Sequence, residues 1–306
     1  MTEKDITTDF LNKINLNYEC EMRPLFAGND ITQTIGDLHN TDFYGTFDKT
    51  NSKTYGCFKK NYVPVNPKDV VAELYATLPK YPRVESAFIS NYRDHKGNKF
   101  SSGEKFAISL KLNTDEIDYK SRSALNQDHI DNYLVIGNSH GGGALKLGFM
   151  TYTASCANVF GNLAHSFRHS RGVKTALEVG IGKALHSLEE FKRELEILNE
   201  FEMNDSEVLY ALEAIQDEFF DNYATKLNSP EEHLFNTRTK NNVSDLSNRI
   251  SQEMLDKGRT GWGLLSGVTN FTTHAGNSSN KAYTKLDGSR GKRDQFAKKV
   301  ILDLAM

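Results

Sequence analysis

The hydrophobic pattern of this sequence changes its period near residue 160, and this change constrains the fold more than any other feature. Residues 105–112 alternate phenylalanine, isoleucine and leucine with lysine and serine, which is typical of a strand with one solvated face. Residues 181–198 instead repeat apolar side chains every three or four positions, as an amphipathic helix does. The sequence therefore predicts an α+β fold, with an N-terminal half rich in antiparallel β-hairpins packed with a helical C-terminal half.

Three hairpins are predicted in the strand-rich part, which covers about residues 40–160. The first has aromatic arms around a polar turn at residues 48–53. The second pairs residues 84–93 with 105–112, and the third pairs residues 133–137 with 144–153. Between the first two, Asn66 and Pro67 are typical of a helix start.

The helix-rich part covers about residues 161–306. We predict helices over residues 181–198, from Asp205 as N-cap, over 244–257, over 262–272 and over 294–306. The second of these is expected to bury Leu209, Leu212, Ile215, Phe219 and Tyr223. No linker rich in proline, glycine or serine separates the two parts, so residues 1–306 are expected to form a single α+β domain.

Charge is segregated along the chain although the formal net charge of its 306 residues is only −3. Residues 189–232 are mainly acidic, whereas residues 281–299 are mainly basic. The small net charge excludes a global polycation. Blocks of opposite sign can pack together within one molecule or between subunits, and on the second interpretation we predict a homo-oligomer.

The sequence predicts a cytoplasmic protein, in the host cell if it is phage-encoded. Its first residues are polar and charged, without the apolar region of a signal peptide. No stretch approaches the roughly 18 apolar residues of a membrane span. Cys20, Cys57 and Cys156 lie far apart without a CxxC pair, so neither a disulfide framework nor a zinc module is expected. We predict no membrane partner, no cofactor and no bound metal.

Two basic strings are candidate phosphate contacts. The first follows His165, and the second lies within the glycine-containing string Gly288-Ser-Arg-Gly-Lys-Arg, before the predicted helix at Asp294. Cations on a flexible backbone next to a helix N-terminus favour anions. The predicted nucleic-acid contacts are Arg168, His169, Arg171, Lys174, Arg290, Lys292 and Arg293.

The loop Asn138-Ser-His-Gly-Gly-Gly is the most unusual local string. Three glycines allow backbone amides to approach a ligand closely, so Asn138, Ser139 and His140 form a candidate loop site. The loop lacks the lysine of a P-loop, and a wide hairpin turn would explain the glycines equally well.

Histidines offer a metal-binding alternative. His165 and His169 would share a face if they lay on one helix, and His140 or His274 could add a third ligand. The glutamate of an HExxH motif is absent. A structural or phosphate-contacting role for Arg168 and His169 is favoured over a metal site.

Several strings together resemble one known family. In chain order they are Tyr62-Val-Pro-Val, Val84-Glu-Ser-Ala, Asn138-Ser-His-Gly-Gly-Gly-Ala-Leu, Cys156-Ala-Asn-Val-Phe, Arg168-His-Ser-Arg, Gly261-Trp-Gly-Leu-Leu-Ser-Gly-Val-Thr-Asn-Phe-Thr-Thr-His and Asp287-Gly-Ser-Arg-Gly-Lys-Arg. This chain is similar, over roughly residues 40–305, to a family of phage- and plasmid-borne proteins known as domain of unknown function 932. The resemblance implies a mobile-element context without a settled activity.

Two main functions are compatible with these features. The first is a nucleic-acid-binding protein, such as one that binds or anneals single-stranded DNA in replication or recombination, with Tyr44, Tyr55, Phe58 and Tyr62 as candidate stacking residues. The alternative is a metal-assisted hydrolase or nuclease that uses His140, His165 and His169. A host-interaction or anti-defence protein that acts by surface binding is a third possibility. No catalytic residue is assigned, and a non-enzymatic role is favoured.

Overall fold

A computed structural model of the chain describes residues 17–27, 39–50, 52–78, 84–93, 99–112, 117–120, 127–153, 158–169, 172–227, 235–275, 285–286 and 288–306. These residues form an α+β protein, with antiparallel sheets in the N-terminal half and helices in the C-terminal half. The predicted fold class is confirmed. No helix of this part of the chain is both long and apolar enough to cross a membrane.

A three-stranded sheet contains the first predicted hairpin. Its strands are β1 (Cys20–Ala27), β2 (His39–Asp48) and β3 (Lys53–Lys59), paired antiparallel in that order. Asp48 faces Lys53 across the turn, as the polar stretch predicts. The Asp48 carboxylate accepts hydrogen bonds from the Thr50 amide (2.8 Å) and the Tyr55 hydroxyl (2.6 Å), which fixes the turn. Strand β1 lies outside the part predicted to be rich in strands.

A second sheet contains the other two predicted pairs. Its strands are β4 (Val84–Arg93), β5 (Lys99–Lys111), β6 (Ile117–Lys120), β7 (Gln127–Ser139), β8 (Leu145–Thr153) and β9 (Asn158–Phe167). The strand order is β4-β5-β7-β8-β9, and β6 pairs with β7 off this path. The strand predicted over residues 105–112 is present in β5, and Phe106, Ile108 and Leu110 are buried. The predicted solvated face is wrong, because Ala107 and Ser109 between them are at most 2% exposed.

The helix predicted at Asn66 is α1 (Pro67–Thr77), with Asn66 as its N-cap residue. The Asn66 side chain does not cap this helix, however. Its Oδ1 accepts a hydrogen bond from the backbone amide of Cys20 at 2.7 Å and so ties the start of α1 to the start of β1.

The remaining helices follow in the C-terminal half. They are α2 (Val173–Glu200), α3 (Asp205–Phe219), α4 (Tyr223–Leu227), α5 (Thr237–Lys257), α6 (Gly261–His274) and α7 (Ser289–Ala305). Gly258, with a φ of +95°, follows α5 as predicted, because glycine adopts this left-handed conformation without strain.

Two details of the helix predicted from Asp205 are wrong. The N-cap of α3 is Asn204 rather than Asp205, and it forms a reciprocal capping box with Glu207. Leu209 is 55% exposed and Leu212 is half-buried, rather than both being buried, and the buried Tyr223 lies in α4. A start one residue earlier does not change the face that the helix buries, but the burial there extends only over Ala211, Ile215, Gln216 and Phe219.

The chain divides into two compact units. Unit 1 comprises Met1–Lys111, Leu134–Gly148 and Leu163–Ala184, and unit 2 comprises Leu112–Tyr133, Phe149–Asn162 and Leu185–Met306. Each unit is described by itself. A single domain over residues 1–306 stays a prediction.

The core of unit 2 combines aromatic packing with close helix contact. The Phe160 ring stacks on Phe191 with 4.3 Å between centroids, and Phe149 packs beside Phe191 at 5.3 Å. Helices α5 and α6 approach so closely at Gly267 that a Cβ atom there would lie 2.3 Å from the Ile250 Cα atom. Glycine at this position is therefore required by helix packing.

Candidate functional site

A cavity of about 770 Å³ lies among the helices of unit 2. This volume falls within the range of roughly 300–1,000 Å³ that is typical of small-molecule sites. Five helices contribute to its walls: the C-terminal ends of α3 and α6, the first turns of α5 and α7, and α4. The site therefore brings together segments that lie far apart in the sequence.

Two arginines of one predicted basic string line this cavity. Arg290 and Arg293 lie three positions apart on α7, and residues at this spacing share a helix face. The Arg290 guanidinium donates hydrogen bonds to the carbonyls of Ala275 (2.6 Å) and Thr273 (3.5 Å). Arg293 donates to the Phe219 carbonyl at 2.8 Å. Neither arginine forms an ion pair with a carboxylate within 4.0 Å in the described part of the chain, although Glu218 attracts Arg293 and the buried Asp294 attracts Arg290 over longer distances.

Aromatic rings form the apolar part of the same cavity. They are Phe219, Phe220, Phe235 and Phe271. The Arg293 guanidinium lies 4.8 Å from the centroid of the Phe219 ring, a cation–π contact that holds the side chain in place. Burial lowers the pKa of Arg293 below its ordinary value. The cavity thus combines partly desolvated positive charge with flat apolar surfaces.

A buried ion pair lies behind the floor of the cavity, which is formed by the buried residues Phe219, Phe271 and Thr272. The Lys285 ammonium lies 2.6 Å from the Asp294 carboxylate, and both side chains are at most 1% exposed. Thr272, which also lines the cavity, accepts a hydrogen bond from Lys285 (2.6 Å) and donates one to Asp294 (2.5 Å). Burial raises the pKa of Asp294, and the neighbouring Lys285 opposes this shift.

The first turns of two helices face the cavity. The N-cap residue of α7 is Gly288, which has no side chain to bond the first amides of the helix. At α5, the Asn236 side chain accepts a hydrogen bond from the Thr239 amide at 2.9 Å. Helix N-termini carry partial positive charge and attract anions. The N-termini of α5 and α7 therefore add to the positive potential that Arg290 and Arg293 create in the cavity.

The prediction for the string Gly288–Arg293 needs one correction, and the structure places the three cations of the string on two helix faces. The string is not a flexible segment before the helix, because α7 begins at Ser289 and the string is its first turn. Lys292 is exposed and does not line the cavity, because it lies on a different face from Arg290 and Arg293. Gly291 serves close packing, since a Cβ atom there would lie 2.0 Å from the Lys285 carbonyl oxygen.

The other predicted basic string belongs to unit 1, whereas the residues that line the cavity belong to unit 2. Arg168 is exposed just after β9, whereas His169 is buried. Arg171 lies outside the described residues. Lys174 lies at the start of α2, but its side chain is likewise outside the described part. These four positions stay predicted contacts.

The loop site of Asn138, Ser139 and His140 is packed into unit 1. All three residues are at most 1% exposed. The Asn138 amide donates to the Val65 carbonyl at 3.0 Å, and the Thr46 hydroxyl donates to the His140 carbonyl at 2.9 Å. The hairpin turn therefore has its polar side chains directed inward, where they lie against neighbouring segments.

His140 is buried without hydrogen bonds from its side chain. Neither ring nitrogen has a hydrogen-bonding partner among the described residues. Burial lowers the pKa of His140 to about 4, with a further contribution from His169 and an opposing one from Asp48. The imidazole is consequently neutral at pH 7, and the rings of Tyr18 and Phe106 pack beside it.

His169 belongs to a stack of three rings. Its ring lies 4.7 Å from that of Tyr62, which in turn lies 4.0 Å from Phe58. Burial lowers the pKa of His169, and the nearby Val63 backbone opposes this shift. Phe58 and Tyr62, proposed from sequence as stacking residues for bases, thus stack on each other. Tyr55 donates to Asp48, as described above.

The proposed pairing of His165 with His169 on one helix is wrong. His165 lies in β9, and its Nδ1 accepts a hydrogen bond from the Lys183 ammonium at 3.4 Å. In the described part of the chain, no group of three or more histidine, cysteine, aspartate or glutamate side chains could hold a metal ion. The hydrolase alternative stays a prediction.

Sequence reasoning missed most of the cavity. Besides the four phenylalanines, it did not assign Asp221, Lys226, Arg238 or Asn242. The adjacent pair Phe219-Phe220 was the available signal, because neighbouring residues at a helix end point in directions about 100° apart. The contribution of α5 carries no comparable signal in the sequence.

Comparison with known proteins gives a family match. The family model described as a domain of unknown function, DUF932, matches residues 55–299. No curated protein and no solved structure matches the chain. The matched range includes the cavity of unit 2 and the histidine loop of unit 1.

Proposed function

This chain belongs to the DUF932 family, and we propose that it is a nucleic-acid-binding protein that holds single-stranded nucleic acid through the cavity of unit 2. One observation carries the proposal: Arg290 and Arg293 bond to carbonyls and form no close ion pair among the described residues, and they lie beside the partly exposed rings of Phe220 and Phe235. Phosphate and base are the two chemical groups that such a surface recognises together.

The arginines retain donors for a phosphate. A guanidinium carries five N–H donors. The bonds to carbonyls occupy two of these in Arg290 and one in Arg293. The remaining donors match phosphate oxygens, which arginine binds through paired, charge-assisted hydrogen bonds. Attachment to carbonyls thus orients both side chains without cancelling their charges.

The aromatic residues supply a surface for a base. Phe220 and Phe235 are only partly buried, whereas Phe219 and Phe271 are buried. Phe220 packs edge-on against Phe219 and Phe271, and Phe235 packs against Tyr223. Stacking of a base on an aromatic side chain contributes about 1–3 kcal/mol and requires no particular base. The proposed binding is therefore expected to be tolerant of sequence.

Self-association and strand annealing are finer proposals. They rest on the acidic and basic blocks of the sequence. The ammonium of Lys298, in the basic block, donates to Glu194 in the acidic block, so the blocks already pair within one chain. Sedimentation of the full chain at micromolar concentration tests self-association, and a strict monomer would contradict it.

The test compares two double substitutions on the same helix. Arg290→Gln with Arg293→Gln removes the two cations of the cavity. Lys292→Gln with Lys299→Gln removes the same charge from positions of α7 outside the cavity. Binding to a fluorescently labelled single strand is measured by anisotropy at two salt concentrations. The arginine pair should weaken binding and lower the log–log salt slope by roughly 0.7 for each phosphate that is no longer neutralised.

The lysine pair is the matched control and should leave affinity within about twofold of the unchanged chain. An equal reduction of affinity in both double variants would show that only net charge matters and would contradict a site in the cavity. Undetectable binding of the unchanged chain at low salt would overturn the function itself. Thermal unfolding of both variants establishes that they are folded.

A further inference from the structure

Resting on that proposed function, we infer that the cavity binds the terminal phosphate of a strand, a phosphomonoester, in preference to a phosphodiester within the strand. The inference concerns the same site and identifies the part of the nucleic acid that enters it. It follows from the number of charges on the walls, the depth at which they lie and the closed floor.

The walls carry more positive charge than one phosphodiester can neutralise. The charged lining residues are Arg238, Arg290, Arg293, Lys226 and Asp221. Asp221 pairs with Lys226 at 3.4 Å, which leaves three arginines on the walls. Glu218, outside the lining, attracts Arg293 and offsets part of one of these charges. A phosphodiester carries one negative charge, whereas a phosphomonoester carries about 1.5 to 2 at pH 7 and has three terminal oxygens. The monoester matches this set better.

The floor of the cavity is closed by buried residues. Phe219, Phe271 and Thr272 are each at most 5% exposed, and the ion pair of Lys285 and Asp294 lies behind Thr272. A phosphate within a strand has a sugar on both sides, so both sugars would have to fit beside these buried residues. A terminal phosphate has one sugar and can reach the floor directly.

The arginines are anchored at the level of this floor. Arg293 bonds to the carbonyl of Phe219, which is itself a buried floor residue. Arg290 bonds to the carbonyls of Thr273 and Ala275 at the end of α6. Arg238, in contrast, is exposed at the first turn of α5. The deepest cations are thus placed for the end of a strand, and Arg238 is placed for the phosphate that follows it.

The experiment compares three labelled strands of one sequence with the full chain. One has no terminal phosphate, one has a 5′-phosphate and one has a 3′-phosphate. Each phosphorylated strand is labelled at the end opposite its phosphate, and the strand without a phosphate is prepared with the label at either end. We expect at least one phosphorylated strand to bind about tenfold more tightly than the hydroxyl strand, as added charge-assisted hydrogen bonds would produce. The Arg290→Gln and Arg293→Gln pair should abolish the difference, and the Lys292→Gln and Lys299→Gln pair should keep it.

A second variant tests the inference at an exposed position, where the substitution is not expected to affect folding. Arg238→Gln changes an exposed side chain, and we expect it to reduce the affinity for the phosphorylated strand by about threefold, since one exposed charge contact contributes modestly. Equal binding of all three strands within about twofold would overturn the inference. If the arginine pair still weakened all three, the proposed function would stand unchanged.

Competition distinguishes the end of a strand from a free nucleotide. Unlabelled nucleoside monophosphate and inorganic phosphate are added to the bound phosphorylated strand. An unlabelled phosphorylated strand serves as the reference competitor. If the two small molecules displace the labelled strand only at concentrations at least about tenfold above that of the reference competitor, the result supports a strand end. Displacement by nucleoside monophosphate at the same concentration as the strand would overturn it and identify a free nucleotide as the ligand.

Discussion

The two compact units of this protein bury polar groups in contrasting ways. In unit 2, Lys285 and Asp294 are charged groups with almost no exposure, and each has a partner of opposite charge and a bond to Thr272. In unit 1, His140 is equally buried, but its ring nitrogens have no hydrogen-bonding partner among the described residues.

The contrast follows from the cost of each group. A buried charge without a partner is strongly destabilising, so the ammonium and the carboxylate are present together. An imidazole can instead be buried in its neutral form, at a smaller cost for the missing hydrogen bonds. The ion pair therefore makes unit 2 sensitive to the removal of one side chain, whereas the histidine makes unit 1 sensitive to protons.

The largest effect is expected from breaking the ion pair. Lys285→Met leaves the Asp294 carboxylate buried without its cation and should lower the free energy of unfolding by about 3–5 kcal/mol. Denaturant titration measures the change. The double variant Lys285→Met with Asp294→Leu removes both charges and should recover most of that stability. A single variant as stable as the unchanged chain would contradict the role of the pair.

The next effect is a pH dependence in unit 1. Because the pKa of His140 is about 4 in the folded protein against an ordinary value of 6.5, the unfolded chain binds more protons between these values. The stability that depends on this group is therefore complete above about pH 6.5 and decreases as the pH falls towards 4. His140 should account for a decrease of about 2 kcal/mol between pH 7 and pH 5.

The control for this pH dependence is the variant that lacks the imidazole. The difference in unfolding free energy between the unchanged chain and His140→Phe, taken at pH 7 and again at pH 5, isolates the contribution of this side chain. An identical difference at both pH values would show that His140 does not titrate in this range.

The smallest effect concerns the same substitution at pH 7. Phe106 and Tyr18 already pack beside the ring of His140, and phenylalanine places no polar atom there. We expect His140→Phe to raise the free energy of unfolding by about 1 kcal/mol, because the cost of unsatisfied nitrogens disappears. A clear destabilisation would indicate that bound water or another group satisfies these nitrogens in solution.

Local patterns are sufficient to predict the class of fold and most elements. The alternation of residues 105–112 identifies β5, and Asn66 with Pro67 identifies the start of α1. These signals are local, because the period of burial and the geometry of a helix start depend on neighbouring residues alone. The same logic fails at α7, where Ser289 and Gly291 favour a loop although both lie in the helix.

The cavity can be predicted only in part. Charge alone identifies Arg290 and Arg293, but it groups Lys292 with them because sequence proximity does not reveal the helix face. Phe235 and Arg238 come from another segment, and their position depends on the tertiary packing of α5. The inward orientation of His140 is equally hidden, since a glycine-rich turn gives no indication of what its flanking side chains contact.

The attachment of Arg290 and Arg293 to backbone carbonyls has a consequence for the entropy of binding. Long, flexible side chains normally lose rotamer freedom when a ligand immobilises them, at a cost of about 0.5–1.5 kcal/mol each. Here the bonds to Ala275 and Phe219, together with the ring beneath Arg293, already restrict both side chains in the absence of a ligand. That restriction is imposed during folding, so an arriving phosphate meets preorganised donors and retains more of its interaction energy as affinity.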